Sequence, residues 1–205
     1  MRNKLLLALA SSVLLAVTAS ITHAKGLNYT YAEAGYTYLD SDEFEAKKGA
    51  TVRLSFGVMD YFHIKAAYSY LDVNEHDRAS NDPDLDRFVI GAGGHFSLLE
   101  NLDLTGTVSW VTREWSNGSR SGDTRNFNNS DRGYQADFGA RYLIMDRLEI
   151  HAAGSYVDID DIDESAGVIG GVVYKLNKRF ALSASASHYP DAEETEAFLG
   201  VRVNF

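Results

Sequence analysis

The chain has 205 residues, 45% of them hydrophobic, a formal charge of −10, no cysteine, and two prolines against 17 glycines. Without cysteine it can form no disulfide and carry no lipid-anchored N-terminal cysteine, and its acidic balance argues against nucleic acid as a partner. Beyond residue 24 the apolar residues are dealt out singly, so no membrane helix is expected.

The chain opens "MRNKLLLALASSVLLAVTASITHA". A short basic start (Arg2, Lys4), an apolar run from Leu5 to Val17 and the small-x-small site Thr22-His23-Ala24 read as a secretory signal peptide over 1–24. Cleavage there leaves a domain spanning 25–205, and loss of Arg2 and Lys4 takes the charge to −12.

An opening strand is expected near 27–39, and its Tyr29 and Tyr31 share the phase of Glu33, which suggests a bulge. Four times thereafter a short turn introduces a matching alternating run: "DYFHIKAAYSY" from Asp60, "ENLDLTGTVSW" from Glu100, "DRLEIHAAGSY" from Asp146 and "NKRFALSASASHY" from Asn177. The segments before these turns alternate too, for example Val52-Leu54-Phe56-Val58 and Tyr134-Ala136-Phe138-Ala140-Tyr142-Ile144. With a closing strand near 195–205 the count is ten strands, joined alternately by tight turns and longer polar connections; eight is the alternative.

Strands of this length, apolar on one face and small or polar on the other, fit an all-β, closed antiparallel transmembrane β-barrel. The aromatics on the apolar face form two belts. Tyr36, Tyr38, Tyr70, Trp110, Tyr134 and Tyr156 lie toward the long connections, and Phe62, Phe96, Tyr142, Tyr174, Phe180 and Phe205 toward the tight turns. A soluble barrel or sandwich filled by the same apolar face is the competing reading.

Together the signal peptide, the first strand "LNYTYAEAGYTY", the turn-strand repeats and the terminal Phe205 resemble the small Gram-negative outer-membrane barrels of the OmpA-like and opacity-type families. The resemblance covers the whole segment after the signal but is architectural, and the chain lacks the periplasmic peptidoglycan-binding domain of the best-known members. It implies residence in the bacterial outer membrane among lipid and lipopolysaccharide. It also implies handling by periplasmic chaperones and by the barrel-assembly machinery, for which Leu199, Val201, Val203 and Phe205 would be the signal. A monomer is the default.

The opposite phase lines the lumen. There Glu33, Arg53, Lys65, Arg141, His151 and Arg202 are expected to crowd a middle layer among small residues such as Ser55, Gly91, Ser183 and Gly200. Two readings follow: a plug, in which long charged side chains cross the lumen and pair, or a basic constriction in a narrow, anion-preferring channel. Glu33, Arg53, Lys65 and Arg202 are expected to form one interlocked group.

The outer connections are acidic: "DSDEFE" at 40–45, a stretch over 72–86, "DIDDIDE" at 158–164 and "DAEETE" at 191–196. Asp158, Asp160, Asp161, Asp163 and Glu164 could offer oxygens to a hard cation, but the segment lacks the glycine and spacing of a calcium loop. Arg120, Arg125 and Arg132 could touch lipopolysaccharide phosphates. For catalysis the local candidates are His95-Phe96-Ser97 and His188 near Asp191, and neither has a sequence-placed acid to complete a triad. The expectation is no enzyme, no cofactor and no metal. The role is structural or at the cell surface.

Overall fold

The computed structural model describes residues 26–41, 44–73, 84–116, 128–160 and 162–205, and for 44, 45, 73, 116, 128, 129, 162 and 163 only the backbone. The expected signal peptide lies outside the described residues.

Ten strands are present: β1 (Tyr31–Ser41), β2 (Phe44–Val58), β3 (Phe62–Val73), β4 (Asp84–Leu99), β5 (Leu102–Ser116), β6 (Asn128–Met145), β7 (Leu148–Ile159), β8 (Ile162–Lys175), β9 (Phe180–Tyr189) and β10 (Glu194–Asn204). Each pairs antiparallel with its neighbours in sequence, and β1 pairs with β10, so the sheet closes into a barrel. The closing register runs from Tyr31 opposite Asn204 to Ser41 opposite Glu194. All ten expected strands are there.

The tight turns fall where expected, around Asp60, Glu100, Asp146 and Asn177. Local chemistry sets them. Met59 takes a φ of 62° between β2 and β3. Asn177 accepts the amide hydrogens of Arg179 (2.8 Å) and Phe180 (2.9 Å) through its side-chain oxygen, an Asx turn. This is the turn end of the barrel, and the other is the loop end.

The loop end departs from expectation. Of the acidic stretch at 40–45, Asp40 and Ser41 belong to β1 and Phe44 and Glu45 to β2, and the residues between lie outside those described. Likewise β7 reaches Ile159 before β8 begins at Ile162, and β10 begins at Glu194 inside "DAEETE". Acidic composition suggested loops, yet a polar side chain is free to stay in a strand wherever the strand rises beyond the apolar band or faces the lumen. The irregularity expected in the first strand lies at its loop end and not beside Glu33. Pairing of β1 with β2 and β10 is unbroken from Tyr31 to Leu39, and the irregularity with β2 lies between Leu39 and Ser41.

Inside and outside are inverted relative to a water-soluble protein. Phe138 is 69% exposed and Leu199 66%, whereas Glu149 is 1% exposed and Glu33 4%. Phe56, Phe62, Ile64, Ile90, Val108, Val168 and Leu182 join the outward apolar surface. The soluble reading needed that face turned inward, and it is turned outward. Lipid is the solvent that accommodates such a surface, and closure leaves no unpaired strand edge within it. Apolar side chains are buried inside as well, among them Val111, Ile159, Val173 and Phe198, and near the loop end Leu39, Leu71 and Leu85 cluster against Trp115.

Candidate functional site

Alternation of β-strand side chains delivers every second residue to the lumen, so each strand contributes a short column of polar groups. At the loop end these columns are bridged across the barrel. Arg113 on β5 forks onto Glu194 of β10, with contacts of 2.9 and 3.1 Å. In the ring order these two strands stand on opposite walls. One step deeper, Glu196 of β10 takes Arg87 of β4 as an ion pair and Arg53 of β2 at 3.5 Å. Arg53 also donates to Ser185 Oγ (3.0 Å) and lies over the Phe198 ring at 3.8 Å.

In the middle, Lys65 on β3 reaches Asp137 on β6 at 2.8 Å, and Asp137 also accepts from Ser155 and Gln135. Toward the turn end Arg202 pairs with Glu33 at 2.7 Å and lies over the Tyr31 ring at 3.8 Å, while Arg141 pairs with Glu149.

All six residues expected in the middle layer line one cavity of about 330 Å³. Four of them, Glu33, Arg53, Lys65 and Arg202, do not form the interlocked group expected of them. Glu33 holds Arg202 alone; Arg53, its direct neighbour across the β1–β2 ladder, sends its guanidinium away to Glu196. Long side chains choose partners by reach across the lumen, and ladder register does not fix that choice. Glu194 and Glu196 were read from sequence as loop acids. They are buried lumen residues, and a signal for them existed: stepping back by twos from Arg202 through Gly200 and Phe198 lands on both.

The charged layer does not fill the bore. The cavity extends from Tyr29 and His63 at the turn end to Ala192 and Glu194 at the loop end, along a wall of Ser183, Ser185 and Ser187. Of the ion-paired groups, Lys65 and Arg53 are the most open to it, with side chains 32% and 28% exposed against 12% and 10% for Asp137 and Glu196. In these two pairs the cation is therefore more open to the cavity than its carboxylate partner.

What closes the turn end is a segment read as strand. At Tyr31 the regular ladder of β1 stops, and residues 26–30 cross the mouth. On the near side the Thr30 carbonyl accepts Phe205 N–H (3.1 Å) and the Tyr29 carbonyl accepts Ser55 Oγ–H (2.7 Å). On the far wall Arg141 donates to the Asn28 carbonyl (3.0 Å) and Lys175 to the Gly26 carbonyl (2.7 Å). Leu27 and Tyr29 are buried. The Tyr29 ring lies against His95, with centroids 3.7 Å apart, and has the Arg141 guanidinium 4.3 Å from its centroid; its hydroxyl donates to Asp103 at 2.8 Å. Gly26 ends the crossing at a φ of 91°, where a side chain would be strained.

These contacts also bear on the catalytic candidates. His95 is occupied with Tyr29, and Ser97 Oγ donates to Asp103 (2.7 Å), so neither makes the serine–histidine contact that a nucleophile requires. His188 is exposed and bonds Thr195 at 2.9 Å. Asp161 lies outside the described residues, as does the Asp163 side chain. Asp158 and Asp160 are exposed, and Glu164 accepts from the Tyr156 hydroxyl. Among the described residues no group of three or more candidate ligands is placed to hold a metal ion. Arg120 and Arg125 also lie outside the described residues. Leu199 and Val201 face outward, and Val203 and Phe205 are half-buried at the turn end.

No protein-family model matches the chain, and no curated protein matches it in sequence. Solved structures do share its shape. The NanC porin superposes with a TM-score of 0.52 at 7% identity, over 85% of this chain and all of that one. The KdgM porin gives 0.47 at 11% identity, over 84% and 99%. Ail, the attachment invasion locus protein of Yersinia pestis, gives 0.44 at 13%, over 86% and 97%. At such identities the likeness is one of fold: the chain has the closed-barrel fold of outer-membrane proteins.

Proposed function

We propose that this protein is an outer-membrane β-barrel with a structural or surface-interaction role, its lumen closed to solutes at rest. The observation that carries the reading is an apolar exterior around a lumen in which Glu33, Asp137, Glu149, Glu194 and Glu196 are each engaged by a cation. An uncompensated charge in such a setting is costly, so pairing lets the barrel hold a polar interior, and residues 26–30 across the turn-end mouth cover the space that the pairs leave open. In this reading the protein reaches the membrane by signal-peptide export and barrel assembly. It stands there as a monomer without cofactor or catalysis, its rim meeting lipopolysaccharide.

A second reading, a narrow anion-preferring channel, is favoured by the cavity that persists beside the ion pairs and by the exposure of Lys65 and Arg53 toward it. Planar-bilayer recording of refolded protein separates the two. Silence in a salt gradient is expected, and steady anion-selective current would replace the first reading with the second.

A further inference from the structure

The cavity has a floor made of the chain itself, and that floor is attached differently from everything around it. Each strand is held by ladders on both sides, whereas residues 26–30 hang from β1 at one end and from side-chain contacts at the other. Releasing residues 26–29 breaks the bonds with Lys175, Arg141, Asp103 and Ser55 and the one from Asn28 to Phe205, but leaves the β1–β2 and β1–β10 ladders untouched, because their register begins at Tyr31. Segments held by few local contacts open at far lower cost than the fold as a whole.

We propose that residues 26–30 are a gate, and that when they leave the turn-end mouth the barrel admits small hydrophilic anions. The inference rests on the reading of the chain as a barrel closed at rest and adds how that closure is released. With the segment withdrawn, the passage runs from the space vacated by Tyr29 past Arg53 and Lys65 and along Ser183, Ser185 and Ser187. The cations prefer an anionic solute, and the serine hydroxyls substitute for part of its hydration shell. Tyr29 is the key residue, because its ring and hydroxyl together meet His95, Arg141 and Asp103.

Bilayer current and thiol labelling together test this, since the native chain has no cysteine. Leu27→Cys should be protected from a polar thiol reagent in the otherwise native barrel, and Tyr29→Ala should expose it and produce current with anion preference. Lys175→Met with Tyr29→Phe removes two hydrogen bonds while keeping the ring. This milder variant serves if Tyr29→Ala fails to give the heat-shifted band of a folded barrel. It should raise the open fraction at least about tenfold, the equivalent of ~1.4 kcal/mol lost from the closed state. Thiol labelling at position 27 in a barrel that stays silent would overturn the gate and leave the closed-barrel reading standing. Steady current from the native barrel would overturn that reading, and would overturn the gate as well if the variants failed to increase it. Cation-selective current would overturn the class of solute.

Discussion

Arg113 and Glu194, 81 positions apart in the chain, meet as a two-pronged ion pair spanning the barrel from wall to wall. Both are buried, and the pair acts as a strut between β5 and β10. Glu194→Ala strands a guanidinium in the interior and should cost about 3–5 kcal/mol, whereas replacing both partners with methionine should cost much less. Urea unfolding of the refolded barrel would measure both. Equal losses for the single and double variants would mean that the strut is not what matters at this site.

Two glycines one strand apart should respond in opposite ways to alanine. A Cβ at Gly139 would sit 2.1 Å from the Ala152 carbonyl oxygen, while one at Gly106 meets nothing nearer than a Phe138 ring carbon at 3.8 Å. Gly139→Ala should lower the temperature at which the barrel loses its folded gel band. Gly106→Ala should leave it unchanged or raise it, because lower unfolded-chain entropy stabilises the barrel by up to ~1 kcal/mol.

Phe205 closes the outward apolar series after Leu199, Val201 and Val203, and its amide bonds Thr30. Deleting it, or replacing it with serine, should impair membrane assembly and send the chain to degradation. Membrane fractionation would show this, and undiminished outer-membrane levels of the truncated chain would remove the assembly role assigned to this residue.

Orientation can be read with single cysteines. One at Asp160, exposed at the loop end, should react with an impermeant reagent on intact cells, and one at Asn177, in a turn at the other end, should not. The reverse pattern would turn the barrel over in the membrane.

The lumen and lipid faces were legible in the sequence because side-chain direction in a strand has a period of two and nothing else competes with it. Glu33, Arg53, Lys65, Arg141, His151 and Arg202 all line the cavity for that reason. Pairing was not legible. Whether Arg53 bonds Glu33 beside it or Glu196 two strands away depends on the curvature of the closed sheet and the reach of a flexible side chain, and neither is written locally. The crossing segment was hidden differently. Leu27, Tyr29 and Tyr31 continue the strand alternation, so a chain leaving the wall and a chain extending it look alike until Arg141, Lys175 and His95 from three other strands are seen to meet it.

The seam between β1 and β10 has a consequence for the timing of folding. Every other ladder joins strands that follow one another, so those hairpins can form as soon as their turns exist. The seam joins Tyr31 to Asn204, nearly the two extremes of the described chain, and must wait until the last strand has been synthesised. Until then β1 and β9 each carry a bare row of amides and carbonyls, which would recruit other chains as readily as β10. Closure over so long a loop is slow. The nascent protein therefore carries an edge open to its own copies for as long as the seam is unpaired.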